Sequence, residues 1–317
     1  MKKKIIVTGG AGFIGSHVVD AYIKAGHNVA VIDNLSTGFR KNLNPEAKFY
    51  KADINDSKTI DEIFVKEKPE IVNHHAALAS VMESIRDPAE TFRTNVLGTV
   101  NLLSSLGKRG CGKNKKFIFA STGGAIYGSP KKIPVDEKAT PYPLSPYALS
   151  KLLGEETIKF YCRSFGFYYL VLRYPNVYGP RQNPKGEAGV VAIFGGMMKH
   201  GIKPIIFGDG SKSRDYVYVE DIARANVLGI GRVKNEMLNL GWGKTVTDQK
   251  IFDTIKKEIA SSMASAEKRT PSMPRYAPYR KGEVYQISLN SKRAKKIIGW
   301  QPKTKFEDGV RKTLHSI

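Results

Sequence analysis

The first 180 residues or so alternate between two hydrophobic periods. Short, nearly continuous apolar runs rich in β-branched residues recur in KIIVTGG, NVAVIDN, AKFYKADI, PEIVNHHAA and KKFIFAST, each closing on turn-forming or polar residues. Runs of this kind predict strands buried on both faces. Between them, SHVVDAYIKAGH and DPAETFRTNVLGTVNLLSSL carry apolar residues at helical spacing and predict amphipathic helices. A further helix is expected to start near Pro146, and FYYLVLRYPNVYG predicts one more strand. Such alternation implies an α/β fold, a parallel sheet with helices on both faces.

After about residue 178 this rhythm loosens. Proline and glycine become frequent in GPRQNPKGEAG and GIKPIIFGDGS, and SSMASAEKRTPSMPRYAPYRKGE is polar and turn-rich. That composition predicts a smaller α/β domain of loops and short elements over a cleft. The division expected is a nucleotide-binding domain over 1–178, with a return segment near 215–235, and a substrate-binding domain over 179–317. No repeat, low-complexity tract or clean linker separates the two, so close packing between them is expected.

Candidate chemistry enters at the end of the first strand, which runs into Thr8-Gly9-Gly10-Ala11-Gly12-Phe13-Ile14-Gly15 and then a helix. Glycines at 9, 12 and 15 allow a tight turn, close approach of backbone to a pyrophosphate and close helix–sheet packing. The amides of Phe13 and Ile14 at the helix start offer donors and a positive dipole end. Asp33 closes the second strand, with Asn34 beside it. A carboxylate there accepts ribose hydroxyls and repels a 2′-phosphate, which favours NAD over NADP. The sheet is therefore predicted to be a doubly wound Rossmann-type one.

A second constellation lies in SPYALSK, residues 145–151. Ser145 and Pro146 start a helix, and Tyr147 and Lys151 stand one turn apart on one face. A free tyrosine has a pKa near ~10. A neighbouring ammonium and an oxidised nicotinamide both favour the phenolate and make it a usable base. Upstream, STGGAIYG at 121–128 supplies two hydroxyls at the end of a predicted strand.

Composition changes this picture little. Over 317 residues, 41% hydrophobic and 25% charged describe a globular chain. With no run of about 18 apolar residues, and no signal-like segment that glycines do not interrupt, a soluble, cytoplasmic protein is expected. The net charge of +22 would favour any polyanion. Its positives lie in short groups such as KKK at 2–4, KNKK at 113–116 and KRAKK at 292–296, which read as solvated faces, so charge alone does not make this a nucleic-acid binder. Cys111 and Cys162 form no framework, and Cys162 is expected in helix packing. His74 and His75 are neighbours on a strand and face opposite ways, so a structural role is expected and no metal site is evident.

These motifs in this order resemble the extended short-chain dehydrogenases/reductases, and within them the UDP-glucose 4-epimerase family. The similarity runs through TGGAGFIGS, VIDNLSTG, ADI, NVLGT, STGGAIYG, SPYALSK, LRYPNVYGPRQNPKGEAGV, PIIFGDGSKSRDYVYVEDIA and RKGEVYQISL. It implies Asp53 and Ile54 near the adenine, Ala76 and Ala77 along the cofactor, Asn95 in a cofactor-side network and Tyr174 near the nicotinamide. The family's strand-end hydroxyl contacts the reacting substrate oxygen; Thr122 is the first choice for it and Ser121 the alternative. In related 4,6-dehydratases an acid follows that threonine. Here Gly123 and Gly124 follow, which argues for epimerisation.

At the sugar-nucleotide end the resemblance implies that Arg214 and Arg280 hold a diphosphate, a task suited to their planar forks; pairing of Arg214 with Asp215 is the alternative. It further implies Asn176 assisting, Glu283 at the uridine ribose, Val190 or Val191 beside the nucleotide and Phe207 near the uracil. Ala79 stands where some epimerases carry a lysine, and the position gating N-acetylated sugars falls near Ile287. The implied activity is NAD-dependent 4-epimerisation of a UDP-hexose by a homodimer pairing helices near 92–106 and 148–163. A 4-epimerase of UDP-N-acetylhexosamine or UDP-glucuronate, or a non-catalytic NAD-binding regulatory protein, are the rivals.

Overall fold

The computed structural model describes residues 1–108, 115–184, 189–231, 233–262, 273–280 and 283–317. Cys111 and parts of the 113–116 and 261–283 segments lie outside them. The strands are β1 (Lys4–Thr8), β2 (Asn28–Asp33), β3 (Lys48–Lys51), β4 (Ile71–His74), β5 (Lys116–Thr122), β6 (Tyr168–Tyr174), β7 (Asn176–Tyr178), β8 (Ile205–Phe207), β9 (Ser213–Arg214), β10 (Tyr216–Tyr218), β11 (Glu236–Asn239), β12 (Val246–Thr247), β13 (Arg275–Ala277) and β14 (Gln286–Ile287). Seven of them form one parallel sheet in the order β11-β6-β5-β4-β1-β2-β3. The expected doubly wound α/β sheet is the one observed.

The helices are α1 (Phe13–Lys24), α2 (Ser57–Glu67), α3 (Val81–Arg86), α4 (Pro88–Phe92), α5 (Gly98–Gly107), α6 (Pro146–Phe165), α7 (Val190–Lys199), α8 (Val219–Gly229), α9 (Asp248–Ser262), α10 (Lys292–Ile298) and α11 (Phe306–His315). Strand alternation sorts the core into two layers. Ile118, Ala120, Leu170 and Leu172 face Val18, Val19 and Tyr22 of α1 and Ile222 and Ala225 of α8. Phe117, Phe119 and Val171 face Ile60 and Phe64 of α2, Leu102 and Leu106 of α5 and Ile158 and Cys162 of α6. Cys162 is thus in helix packing, as its sequence context implied. A third cluster joins Val191, Phe194 and Met198 of α7 to Ile251 and Ile255 of α9 and Val310 and Leu314 of α11.

Three local departures have plain causes. The stretch FYYLVLRYPNVYG is two strands, because Pro175 has no amide to offer the β11 side and the Asn176 amide turns away from β5 to the Asp215 carbonyl at 3.0 Å. The long helix expected over 87–106 is interrupted by a π-helical turn at Arg93–Leu97, which holds Asn95; such turns often mark functional positions. Lys116, expected on a solvated face, is buried and donates to the carbonyls of Gly229, Ile230 and Gly231 at 2.8, 3.1 and 2.6 Å, closing the carboxyl end of α8. Among the described residues no helix is long and apolar enough to cross a membrane.

Candidate active site

Strand order reverses between β1 and β4, and an open α/β sheet binds ligands in the crevice at that reversal. A cleft of about 1090 Å³ opens there and runs along the carboxyl ends of the strands to α7, β8 and the segment around Arg280. Its near end is lined by Gly9, Gly12, Phe13, Ile14, Gly15, Asp33, Asn34, Asp53, Ile54, Ala76 and Ala77. Gly9 has a φ of +70°, and a Cβ on Gly15 would stand 2.1 Å from the Gly9 carbonyl oxygen. Gly12 caps α1 without a side chain, and no acid lies in its first turn, so the first amides remain open to an anion. Asp33 Oδ2 accepts from the Ala11 amide at 3.0 Å and Oδ1 from the Leu35 amide at 2.8 Å, holding the carboxylate at the cleft edge. Asn34 donates to Asp53 at 2.9 Å. This cradle fits a dinucleotide.

Behind the cradle, Asn95 clamps the Leu78 backbone, accepting at 2.8 Å and donating at 3.0 Å, and donates to Ser150 Oγ at 2.9 Å. His74 closes a buried chain. Thr99 donates to the Asn95 carbonyl and therefore accepts from Nε2–H of His74 at 3.0 Å, while Thr8 donates to Nδ1 at 2.7 Å. Burial lowers its pKa, so the imidazole is neutral and structural, as expected. His75 differs. It lines the cleft, stacks on Tyr174 with centroids 6.0 Å apart and meets the Tyr174 hydroxyl through Nε2 at 3.1 Å. Burial, with the Lys151 charge adding to it, pushes His75 down to about 3.

The floor of the cleft is built by β5 and α6. Ser145 Oγ accepts from the Ala148 amide at 3.2 Å and Pro146 occupies the first turn, which fixes where α6 starts. Tyr147 then reaches the end of β5 and faces the Thr122 hydroxyl. Burial pushes the Tyr147 phenol up to about 12, against a downward pull from Thr122. Lys151 donates to the Ala120 carbonyl at 3.0 Å and sits 4.8 Å from the Phe119 ring centroid. Burial takes its pKa down to about 8, with Glu155 pulling upward. Ser121 points the other way and donates to Glu155 Oε1 at 2.6 Å. The alternation of a strand therefore leaves Thr122, not Ser121, beside Tyr147.

Gly123 and Gly124 hang from the Tyr174 carbonyl at 2.7 and 3.1 Å. A Cβ on Gly123 would meet the buried Leu289 side chain at 2.4 Å, so a larger residue there requires Leu289 to move.

The far end of the cleft gathers Asn176, Val190, Val191, Phe207, Arg214, Arg280 and Glu283. Arg214 is not paired with Asp215: that carboxylate accepts the amides of Trp242, Gly243 and Leu289. Arg214 instead bonds the Ser213 and Tyr285 carbonyls at 3.0 and 2.6 Å, and among the described residues it has no carboxylate partner. Arg280 lies 3.5 Å over the Phe207 ring centroid. Lys212 pairs with Glu283 and stands 3.6 Å from Asp248, and both Lys212 and Asp248 line the cleft. Ile287 does not line it, since it is buried among Ile126, Tyr127, Val135 and Leu289; Val284 reaches the cleft instead. Sequence reasoning missed His75, Lys212, Asp248 and Glu155. Only Glu155 carried a local signal, one helical turn after Lys151.

A model of the NAD dependent epimerase/dehydratase family matches residues 5–241. The crystal structure of UDP-glucose 4-epimerase with UDP-glucose from Thermotoga maritima is 46% identical, with a TM-score of 0.92 over 98% of this chain and 97% of that one. A UDP-glucose 4-epimerase complex with NAD from Thermus thermophilus is 38% identical, with a TM-score of 0.89 over 98% of each chain. UDP-N-acetylglucosamine 4-epimerase from Methanobrevibacter ruminantium is 33% identical, with a TM-score of 0.90 over 100% of this chain and 98% of that one.

Proposed function

From the premise that the chain belongs to the NAD dependent epimerase/dehydratase family, we propose that it interconverts UDP-galactose and UDP-glucose by transient oxidation at C4. The observation that carries this reading is the Thr122–Tyr147–Lys151 cluster at the cleft floor, with Gly123 packed on Leu289 where an eliminating acid would stand. The Gly9–Gly15 turn and Asp33 would hold NAD, which would supply a reversible acceptor for the C4 hydride. Tyr147 removes the C4 hydroxyl proton and Thr122 orients that oxygen. Lys151 favours the phenolate by its charge. Arg214 and Arg280 grip the diphosphate while the 4-keto sugar turns over and exposes its opposite face.

The test is turnover of UDP-galactose by purified protein, first without and then with added NAD. Conversion to UDP-glucose without net NADH is expected; absence of conversion while NAD still binds would overturn the simple-hexose reading. Likeness to a UDP-N-acetylglucosamine 4-epimerase favours a second reading, in which UDP-N-acetylgalactosamine competes as substrate. Thr122→Val is expected to lower kcat about 10²-fold with KM nearly unchanged, because one preorganised hydrogen bond to the reacting oxygen is lost. A fall in kcat of less than threefold would move that role elsewhere.

Self-association is part of the same proposal. Leu149, Leu153 and Phe160 are exposed at helical spacing on one face of α6, beside exposed Leu97. Two copies pairing there bury this stripe, and Leu153→Asp is expected to sediment as a monomer where the parent sediments as a dimer.

A further inference from the structure

A buried ion pair lies directly beneath the cleft floor and takes no part in the chemistry described so far. Glu155 and Arg173 are 0% and 2% exposed. Arg173 Nε donates to Glu155 Oε1 at 2.9 Å and Nη2 to Oε2 at 2.6 Å. Ser121 donates to the same Oε1 at 2.6 Å. From the other side of Arg173, Nη1 donates to the Tyr127 hydroxyl at 2.6 Å, and Tyr127 donates to Asn239 Oδ1 at 2.9 Å. Five segments are tied together: β5 through Ser121, α6 through Glu155, β6 through Arg173, the 123–128 loop through Tyr127, and β11 through Asn239.

Three of the five ties are one step from a residue at the cleft. Ser121 precedes Thr122, Glu155 follows Lys151 by one helical turn, and Arg173 precedes Tyr174, whose carbonyl holds Gly123 and Gly124. Ser121 and Arg173 are also register partners across β5 and β6, as are Thr122 and Tyr174. Taking two charges out of water is costly, and an apolar pair of similar volume often serves stability as well or better. Beside the pair's polar partners, Phe119 on the Ser121 face of β5 and Ile158 and Cys162 on the Glu155 face of α6 belong to an apolar cluster that would accept such a pair. Stability alone therefore does not account for a charged pair here.

We propose that the Glu155–Arg173 pair is a positioning device for the reaction, fixing Thr122, Lys151 and the 123–128 loop relative to Tyr147. This rests on the epimerase reading above. The pair also acts through charge. Lys151 faces His74 at the end of β4 and His75 just after it, Tyr147 and Glu155 from its own helix, and on β5 the Ala120 carbonyl and the Phe119 ring. Among the described residues Glu155 is the one carboxylate that favours the ammonium, and both histidines are neutral at working pH. Removing the Glu155 charge lets Lys151 lose its proton at lower pH.

The experiment compares the parent with Glu155→Gln, Arg173→Met and the double variant Glu155→Met/Arg173→Met. Single variants leave one buried charge unpaired and are expected to lower the thermal midpoint, whereas the double variant is expected to recover it. In the refolded double variant, kcat for UDP-galactose is expected to fall at least tenfold with KM and UDP affinity unchanged, and the alkaline limb of the kcat profile to move to lower pH. A double variant with the parent's kcat and pH profile would reduce the pair to packing. If the parent itself fails to turn over UDP-galactose, the epimerase reading fails on its own. The positioning claim then rests on ultraviolet difference titration of NAD-loaded protein, corrected with Tyr147→Phe. There the double variant should raise the Tyr147 midpoint, and an unmoved midpoint would overturn the proposal.

Discussion

Tyr147→Phe is expected to lower kcat for UDP-galactose by about 10³–10⁴-fold, the upper range for a positioned acid–base group, while leaving UDP affinity within about twofold and the fold intact. Apart from Thr122 the phenol has no side-chain hydrogen-bond partner among the described residues, so its loss removes little structure. Chemistry is affected far more, because in the proposed mechanism the phenol is the group that takes the C4 proton. The pH dependence follows from the same two groups. Burial holds Tyr147 up at about 12 and Lys151 down at about 8. The base works as phenolate, so activity rises with pH through the Tyr147 ionisation of the NAD-loaded protein. Lys151 works as ammonium, so activity falls as pH passes its own ionisation. Lys151→Met should move the rising limb to higher pH. Parental kcat in the Tyr147→Phe variant would place the base elsewhere.

Gly15→Ala is expected to weaken NAD binding more than 100-fold and to lower the thermal midpoint. The added Cβ would lie 2.1 Å from the Gly9 carbonyl oxygen and 2.8 Å from its carbon, both backbone atoms. Gly9 cannot retreat, since its amide is tied to the Ile32 carbonyl at 2.9 Å and its own α-carbon packs against the Ala76 backbone. Relief must come from shifting α1 off the sheet, which removes its first amides from the anion site. Overpacking of this kind costs about 1–3 kcal/mol. Gly26→Ala is the control: its φ is +84° but nothing lies within 4 Å of the new Cβ. It should cost about 1 kcal/mol or a little more in strain and leave NAD affinity unchanged. Equal effects of the two on NAD binding would show that strain, not the clash, governs the turn.

Much of this site is written in local pattern. The glycine turn, the strand before it and the helix after it are contiguous, so their order alone placed the dinucleotide end. Tyr147 and Lys151 are four residues apart on a helix whose start Ser145 and Pro146 fix, and helical geometry brings them to one face without help from the rest of the chain. Strand–helix alternation likewise determined the doubly wound sheet.

What the sequence did not contain is which side of each strand meets the site. In one dimension Thr122 is only the first choice of hydroxyl, with Ser121 left open beside it. Only the packing of α6 against the Phe117–Phe119 face sends Ser121 to Glu155 and leaves Thr122 for Tyr147. The same holds for His74 and His75, of which one is sealed in a hydrogen-bonded chain and the other faces the cleft. The family resemblance put the sugar gate near Ile287, but the parallel pairing of β14 with β9 turned that side chain into the core. The Glu155–Arg173 pair joins residues 18 apart on different elements, and Arg173–Tyr127 joins residues 46 apart. Periodicity determines which residues share a face of one element. Which faces meet is decided by long-range burial, and that balance exists only once the sheet is assembled and its helices are docked.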